Sequence, residues 1–262
     1  MKIITCFLQP SSGTVTVDGL DIQNEALAIR RKIGYLPEHN PLYLDMYVHE
    51  YLRYIGRLYQ LPKKQLQARV DEVIGMTGLG IEQHKKIGAL SKGYRQRVGL
   101  TQALIHDPDI LILDEPTTGL DPNQIVEIRS LIKDIGKEKT IIFSTHILSE
   151  VEAIADRVII INRGKIVADE GISSLRAHTE GLVLRIAFEK EGFDFQPLLN
   201  AHPGIEVQPS GPQEFTLSMP KGVDPRPAIF QQSIDTGNPI ELLEKGQRNL
   251  EEIFRTLTKT AS

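Results

Sequence analysis

Apolar and polar positions along the chain switch repeatedly between a period near two and one near ~3.6 residues, as they do when strands and helices follow one another. Ile3, Ile4, Phe7 and Leu8 fall on one side of a helical turn, with no Ser, Thr, Asp or Asn ahead of them as a cap, so residues 1–8 are expected to be the interior of a helix. Residues 13–18 alternate Thr and Val like a half-exposed strand, and Asp18-Gly19 marks a turn. A second strand, 32–36, stops at Pro37. From Val48 to about Gly78 the spacing of Tyr51, Leu52, Ile55, Leu58 and Tyr59, then of Leu66, Val70, Val73 and Ile74, predicts two helices.

Ser91 stands where a helix running to about His106 needs its cap. Residues 109–113 are a near-continuous apolar run ending in Asp114 and Glu115, which suits a parallel strand buried on both faces. Ile125, Ile128, Leu131, Ile132 and Ile135 mark the next helix, 140–143 the next buried strand and 148–155 another helix. Strand, helix, strand, helix in that order predicts an α/β fold with a doubly wound parallel sheet, whose ligand lies beyond the carboxyl ends of its strands. A hairpin around Arg163-Gly164 joins 158–161 to 165–168. After a change of texture near 178–181, a small α+β module is expected, with strands at 183–188, 204–207, 215–219 and 240–243 and helices at 195–199, 227–233 and 249–257. The expected division is residues 1–178, with a helical subdomain at about 46–106, and residues 179–262.

A chain of 262 residues can bury a substantial core, and 40% hydrophobic with 24% charged residues is an ordinary globular composition. The net charge of -4 and the lack of a dense basic tract argue against nucleic acid as the main ligand. Cys6, in an apolar stretch, reads as a small buried hydrophobe in a reducing compartment. No run approaches the roughly 18–20 consecutive apolar residues of a bilayer crossing, so membrane contact is expected to be peripheral, through a partner. Residues 1–8 also lack the charged leader and cleavage site of a secretory signal.

The chemistry concentrates after the apolar run Ile110-Leu111-Ile112-Leu113. Asp114 and Glu115 cost desolvation energy there unless something cationic meets them, and the end of a parallel strand is where a Mg-nucleotide would sit. The plainer reading is a strand that simply exits into solvent. After one helix, Ile141-Ile142-Phe143 leads to Ser144-Thr145-His146, which puts a histidine on the same edge, within reach of a terminal phosphate.

The series Leu90-Ser91-Lys92-Gly93-Tyr94-Arg95-Gln96-Arg97, Leu111-Ile112-Leu113-Asp114-Glu115-Pro116, Gly119-Leu120-Asp121-Pro122 and Ser144-Thr145-His146 resembles the signature, Walker B, D-loop and switch-histidine motifs of ATP-binding-cassette (ABC) ATPases, over residues 1 to about 175. Ile33-Gly34-Tyr35-Leu36-Pro37-Glu38 resembles the approach to the Q-loop, with Glu38 where most members have Gln. Leu250-Glu251-Glu252-Ile253-Phe254-Arg255-Thr256-Leu257-Thr258 resembles the carboxy-terminal extension of drug-export and gliding-motility cassettes. The resemblance implies a P-loop NTPase-like cassette that binds ATP and Mg2+. In it Asp114 and Glu38 would serve the metal, Glu115 would orient or deprotonate the attacking water, and His146 would steady the γ-phosphate. Ser91, Lys92, Gly93 and Tyr94 would form an anion site at a helix amino terminus, offered to ATP on a second subunit, and Asp121 would link the two sites of a head-to-tail homodimer. The implied partners are transmembrane permease subunits, to which Glu38 would report nucleotide state. The implied place is the cytoplasmic face of the inner membrane. Lys92 and Tyr94 replace the commoner Gly and Gln, but Ser91 and Gly93 keep the phosphate donors. A carboxylate at Glu38 repels phosphate unless Mg2+ or a proton intervenes.

No G-x-x-x-x-G-K-[ST] phosphate loop occurs in the sequence: Gly88 and Gly93 are followed by Tyr94-Arg95, and Gly75 and Gly80 by Ile81-Glu82. Residues 1–8 look like later turns of the helix that such a loop opens. The expectation is therefore a chain that starts downstream of the family's usual beginning and hydrolyses ATP poorly by itself. Two other readings are a soluble cassette protein of translation or repair, opposed by the single cassette and acidic balance, and a catalytically impaired regulatory fragment, opposed by Glu115 and His146.

Overall fold

The computed structural model describes residues 1–178, 181–220 and 222–246, with Leu250, Ile253 and Phe254. The chain forms two compact units, Met1–Ile154 and Ala155–Ser262, dividing ahead of the expected boundary at 178. The hairpin expected within the cassette thus falls in the second unit.

The first unit opens on turns rather than on the expected helix. Thr5 N–H bonds Met1 O, Cys6 N–H bonds Ile3 O and Phe7 N–H bonds Lys2 O without regular helix forming, and Cys6, half-buried, takes a φ of 56°. Ile3, Phe7 and Leu8 remain exposed. So short an uncapped segment, with no fully packed face, does not meet the cost of nucleating a helix. Strands β1 (Thr16–Val17) and β2 (Leu20–Asp21) pair antiparallel around Asp18-Gly19, both left-handed, so the strand expected at 13–18 shortens to its end. Helix α1 (Ala26–Lys32), with Arg30, Arg31 and Lys32 in its last turn, leads into β3 (Ile33–Leu36).

Helices α2 (Val48–Leu58) and α3 (Lys63–Met76) are separated at Leu61-Pro62, because a proline there ends the hydrogen-bond ladder. They bury Tyr51, Leu52 and Ile55, with Val48, and then Leu66, Val70, Val73 and Ile74; of the residues picked out by helical spacing, Tyr59 is only partly buried and Leu58, the last residue of α2, is exposed. After a 3-10 turn at Ile87–Ala89 comes α4 (Lys92–Leu104), followed by β4 (Ile110–Asp114), α5 (Pro122–Ile135), β5 (Thr140–Ser144) and α6 (Leu148–Ile154).

Strands β3, β4 and β5 form a parallel sheet in that order, with Leu36 opposite Leu113 and Asp114 opposite Ser144. Leu111, Ile112 and Leu113 of the central strand are fully buried. Leu111 and Leu113 join the helices' core, whereas Ile112 packs with Val17, Ile22, Ile29 and Ile33 on the opposite face. Both faces are covered, which is why this strand must be continuously apolar; each such side chain contributes about 1.5–3 kcal/mol. Helix α4 crosses β3 at backbone contact, since a Cβ on Gly34 would lie 2.1 Å from Ala103 O. Arg69 closes the carboxyl end of α4, its Nη2 donating to Leu104 O at 2.7 Å and its Nε to Ile105 O at 3.2 Å. Just beyond, His106 stacks on Tyr59 with ring centroids 3.7 Å apart and meets Ile33 O through Nε2 at 3.1 Å. A carbonyl can only accept, so Nε2 carries the proton, and burial pushes the imidazole pKa down to about 4.

In the second unit β6 (Arg157–Asn162) and β7 (Lys165–Gly171) form an antiparallel hairpin whose turn residues Arg163 and Gly164 are both left-handed, the geometry that matches strand twist. After α7 (Ile172–His178), strands β8 (Gly181–Phe188), β9 (Glu206–Pro209), β10 (Glu214–Pro220) and β11 (Ile240–Gly246) pair antiparallel in the order β11-β8-β10-β9. Helices α8 (Gln196–Ala201) and α9 (Arg226–Thr236) contribute Leu198 and Ile229 to a core built on Phe188, Phe193 and Phe195. The helix expected at 249–257 lies outside the described residues except at Leu250, Ile253 and Phe254.

Candidate functional site

The carboxyl ends of β3, β4 and β5 open on one edge of the parallel sheet, and the expected acids and histidine meet there. Glu115 takes a φ of 50°, in the left-handed region that costs a non-glycine residue about 1–2 kcal/mol, and its N–H bonds Ser144 O across the strand ends at 3.1 Å. Its two carboxylate oxygens each lie 2.9 Å from His146 Nδ1, and the Thr118 hydroxyl donates to Oε2 at 3.1 Å. Asp114 accepts from the Ser144 hydroxyl on Oδ1 and from the Tyr35 hydroxyl on Oδ2 at 3.4 Å. Burial, and then the charge of Asp114, raise the Tyr35 pKa.

His146 is 71% exposed while Glu115 is 17% exposed, so the pair has one wet and one sheltered partner. The hydrogen bond to Glu115, then its charge, raise the histidine pKa, and Glu150 and Glu38 add to the rise. Glu38 therefore stands close enough to act on the same imidazole. It follows β3 with its side chain about half exposed, beside His39 at 3.9 Å.

The signature and D-loop residues gather at a second place in the same unit. Ser91 Oγ accepts Tyr94 N–H at 3.4 Å as the cap of α4, and Asp121 Oδ1 accepts Gln124 N–H at 3.0 Å as the cap of α5, with Pro122 at its first position. Gly93, Tyr94, Arg97, Asp121 and Gln124 line a cavity of about 300 Å³. A Cβ on Gly93 would come within 2.6 Å of the Gln124 amide, so a larger residue there would displace the Gln124 side chain that lies over the start of α4. Lys92 lies against Gly119, and Gln96 Nε2 donates to Pro116 O at 2.8 Å.

Sequence reasoning missed Glu150, the most enclosed acid of this edge, whose side chain is 1% exposed. Its carboxylate accepts from the hydroxyls of Thr117, two residues past Glu115, and of Thr145, one before His146, the latter at 2.9 Å. It sits on a helix beside polar residues such as Ser149 and Glu152, and its partner Thr117 is distant in sequence, so no local pattern marks it. Hard carboxylate oxygens such as those of Asp114 suit Mg2+, which takes one or two carboxylates and completes its shell with phosphate and water oxygens. Among the described residues no three His, Cys, Asp or Glu groups gather as a closed metal cage.

An acid pair and a histidine beyond the ends of a parallel sheet, opposite a capped glycine-containing helix start, is the layout of a nucleotide-handling α/β protein. Residues 1–118 match the ABC transporter family. The ABC transporter ATP-binding protein NatA of Bacillus subtilis (strain 168) is 40% identical over 177 residues, 67% of this chain and 72% of NatA. The ABC transporter ATP-binding protein YxlF of the same organism is 30% identical over 257 residues, 97% of this chain and 83% of YxlF. The dimeric structure of the ATP-binding cassette MJ0796, in a post-hydrolysis state bound to ADP and Pi, is similar with a TM-score of 0.58 at 26% identity, over 65% of this chain and 78% of that one. The chain belongs to the ATP-binding subunits of ABC transporters. Its α/β fold is accordingly that of the P-loop NTPase-like cassettes.

Proposed function

We propose that the chain is the ATP-hydrolysing subunit that powers an ABC membrane exporter, of the drug-export or gliding-motility kind. The observation that carries the hydrolytic reading is the contact of Glu115 with His146, beside Asp114, at the exit of the central strand. Asp114, with Glu38 near it, would hold Mg2+, which supplies charge neutralisation at the phosphates. Glu115 accepts the proton of the attacking water or fixes its direction, and its hydrogen bonds to His146 and Thr118 set the carboxylate in one orientation. His146 donates toward the terminal phosphate, an action favoured by its raised pKa. Ser91, Lys92, Gly93 and Tyr94 present the start of α4 to nucleotide on a second copy of the subunit, and Asp121 joins the two sites in a head-to-tail dimer.

No described helix is long and apolar enough to cross a membrane. Transmembrane permease subunits would therefore hold the subunit peripherally at the cytoplasmic face of the inner membrane. The direction of transport rests on the second unit, whose end resembles the extensions of export cassettes. The test is ATP turnover by the subunit assembled with its permease. Glu115→Gln is expected to lower turnover at least ~100-fold, the scale of a lost general base, with nucleotide still bound. Turnover unchanged by Glu115→Gln would sink the assignment.

A further inference from the structure

The buried carboxylate of Glu150 has no part in the chemistry described above, yet it has partners on both loops that carry that chemistry. Thr117, itself buried, donates from the loop after β4; Thr145 donates from the loop after β5; Arg129 of α5 approaches Oε1 at 3.6 Å. The Thr145 hydroxyl is itself fixed, because it accepts Ile147 N–H at 3.1 Å and so directs its proton to Glu150. The Glu150 N–H in turn bonds Ile147 O at 3.0 Å. Next to Thr117, Thr118 holds a Glu115 oxygen. A run of hydrogen bonds therefore leads from the Glu115 carboxylate along its loop, through one buried acid, to the residue before His146.

Stability alone does not account for an acid here. Burying a carboxylate costs several kcal/mol, which an ion pair as long as 3.6 Å offsets poorly, and an apolar side chain of similar volume would fill the space at less cost. What an acid provides and an apolar group cannot is a pair of acceptors that join two loops at once. We propose that Glu150 is a positioning residue, which registers the loop of Glu115 against the loop of His146 so that the two side chains meet. The inference rests on the hydrolytic reading of Glu115 and His146, and it adds the element that couples them.

The experiment uses the full chain and reads the imidazole 15N shifts of His146 at fixed pH, which report a carboxylate bonded at Nδ1. Thr117→Val, Thr145→Val and Glu150→Ala are each expected to move these signals toward those of Glu115→Ala, and the two threonine effects should fail to add, since cutting either tie frees the other loop. Glu150→Gln keeps an acceptor and is expected to restore part of the signal. In the permease-assembled subunit each loss should lower kcat on the order of tenfold with KM for ATP within about twofold, as expected of misplaced rather than missing groups. His146 signals unchanged in folded Thr117→Val and Thr145→Val would overturn the proposal, and these two variants decide it even where Glu150→Ala does not fold. Turnover unaffected by Glu115→Gln would instead overturn the underlying reading of the site.

Discussion

The parallel sheet of the first unit and the antiparallel sheet of the second treat their polar groups in opposite ways. Around β4 the strand ends carry Asp114, Glu115 and Ser144, one non-glycine residue is left-handed at the strand exit, and an acid is fully enclosed behind it. In the second unit the ion pairs Arg157–Asp169, Arg185–Glu244 and Arg226–Asp224 are all well exposed, where such pairs contribute little. Its left-handed non-glycine residue, Arg163, sits in a hairpin turn that requires that geometry. The core there is a cluster of phenylalanines, with Phe188 stacked on Phe193 at 3.9 Å and edge-on to Phe195 and Phe215. Strain and buried charge without a turn to explain them mark the edge proposed to handle a ligand; among the described residues the second sheet shows neither.

The largest expected effect tests the packing side of this contrast. Phe188 is fully buried, so Phe188→Ala removes the centre of the aromatic cluster and should cost about 3–5 kcal/mol in denaturant unfolding followed by circular dichroism. The His146 signals should stay as they are in the unaltered chain. A loss of that imidazole signature in folded Phe188→Ala would mean that the two sheets are not specialised in the way described.

A smaller effect comes from His106, which is buried neutral against Tyr59 and Ile33, far from any role in phosphate chemistry. Its folded pKa, about 4, lies below the 6.5 of a free imidazole, so between these values the unfolded chain binds a proton that the folded chain refuses. The contribution is present above pH 6.5 and is lost as the pH falls toward 4. Thermal midpoints measured across that window should fall in the unaltered chain and fall less in His106→Gln, which cannot titrate. Equal slopes for the two would show that the histidine is not held neutral, and that the first unit buries charge away from the edge of Asp114 and Glu115 as well as at it.

How far the sequence told this story depends on how local each signal was. A parallel strand buried on both faces has to be apolar on every residue, so 109–113 was visible as a strand, and acids at the end of such a run are conspicuous because burial would penalise them; 140–143, expected to be buried as well, forms β5 but leaves Thr140 and Ile142 exposed, because it is the last strand in the order β3-β4-β5. Ser91 could be read because a helix cap declares itself within three residues. Glu150 could not, since its partner Thr117 lies 33 residues away and its helix otherwise carries polar residues such as Ser149 and Glu152. The ties of Tyr35 and Ser144 to Asp114 were equally hidden, because sheet register decides them. At residues 1–8 the periodicity was helical, but periodicity supplies no neighbour to bury Phe7 and Leu8. The hairpin at 157–171 lies in the second compact unit, and nothing local in its sequence signals to which unit it packs.

The smallest effect separates what the ligand edge does from what merely holds it together. Ser91 accepts Tyr94 N–H, so Ser91→Ala removes a helix cap and should lower stability by about 1 kcal/mol. Ser91→Asp is different in kind. Aspartate caps a helix as well as serine does, and a negative charge at the amino terminus adds about 0.3–1 kcal/mol, so the thermal midpoint should be kept or raised. The same charge would repel a phosphate presented to the start of α4, where the serine hydroxyl would donate. Ser91→Asp is therefore expected to melt no earlier than the unaltered chain yet to lose ATP turnover in the assembled transporter, whereas Ser91→Ala loses a little of both. Full turnover by Ser91→Asp would place the anion elsewhere and leave Ser91 a cap of the kind found in any helix, erasing at that position the difference between a helix start that meets a ligand and one that is merely capped.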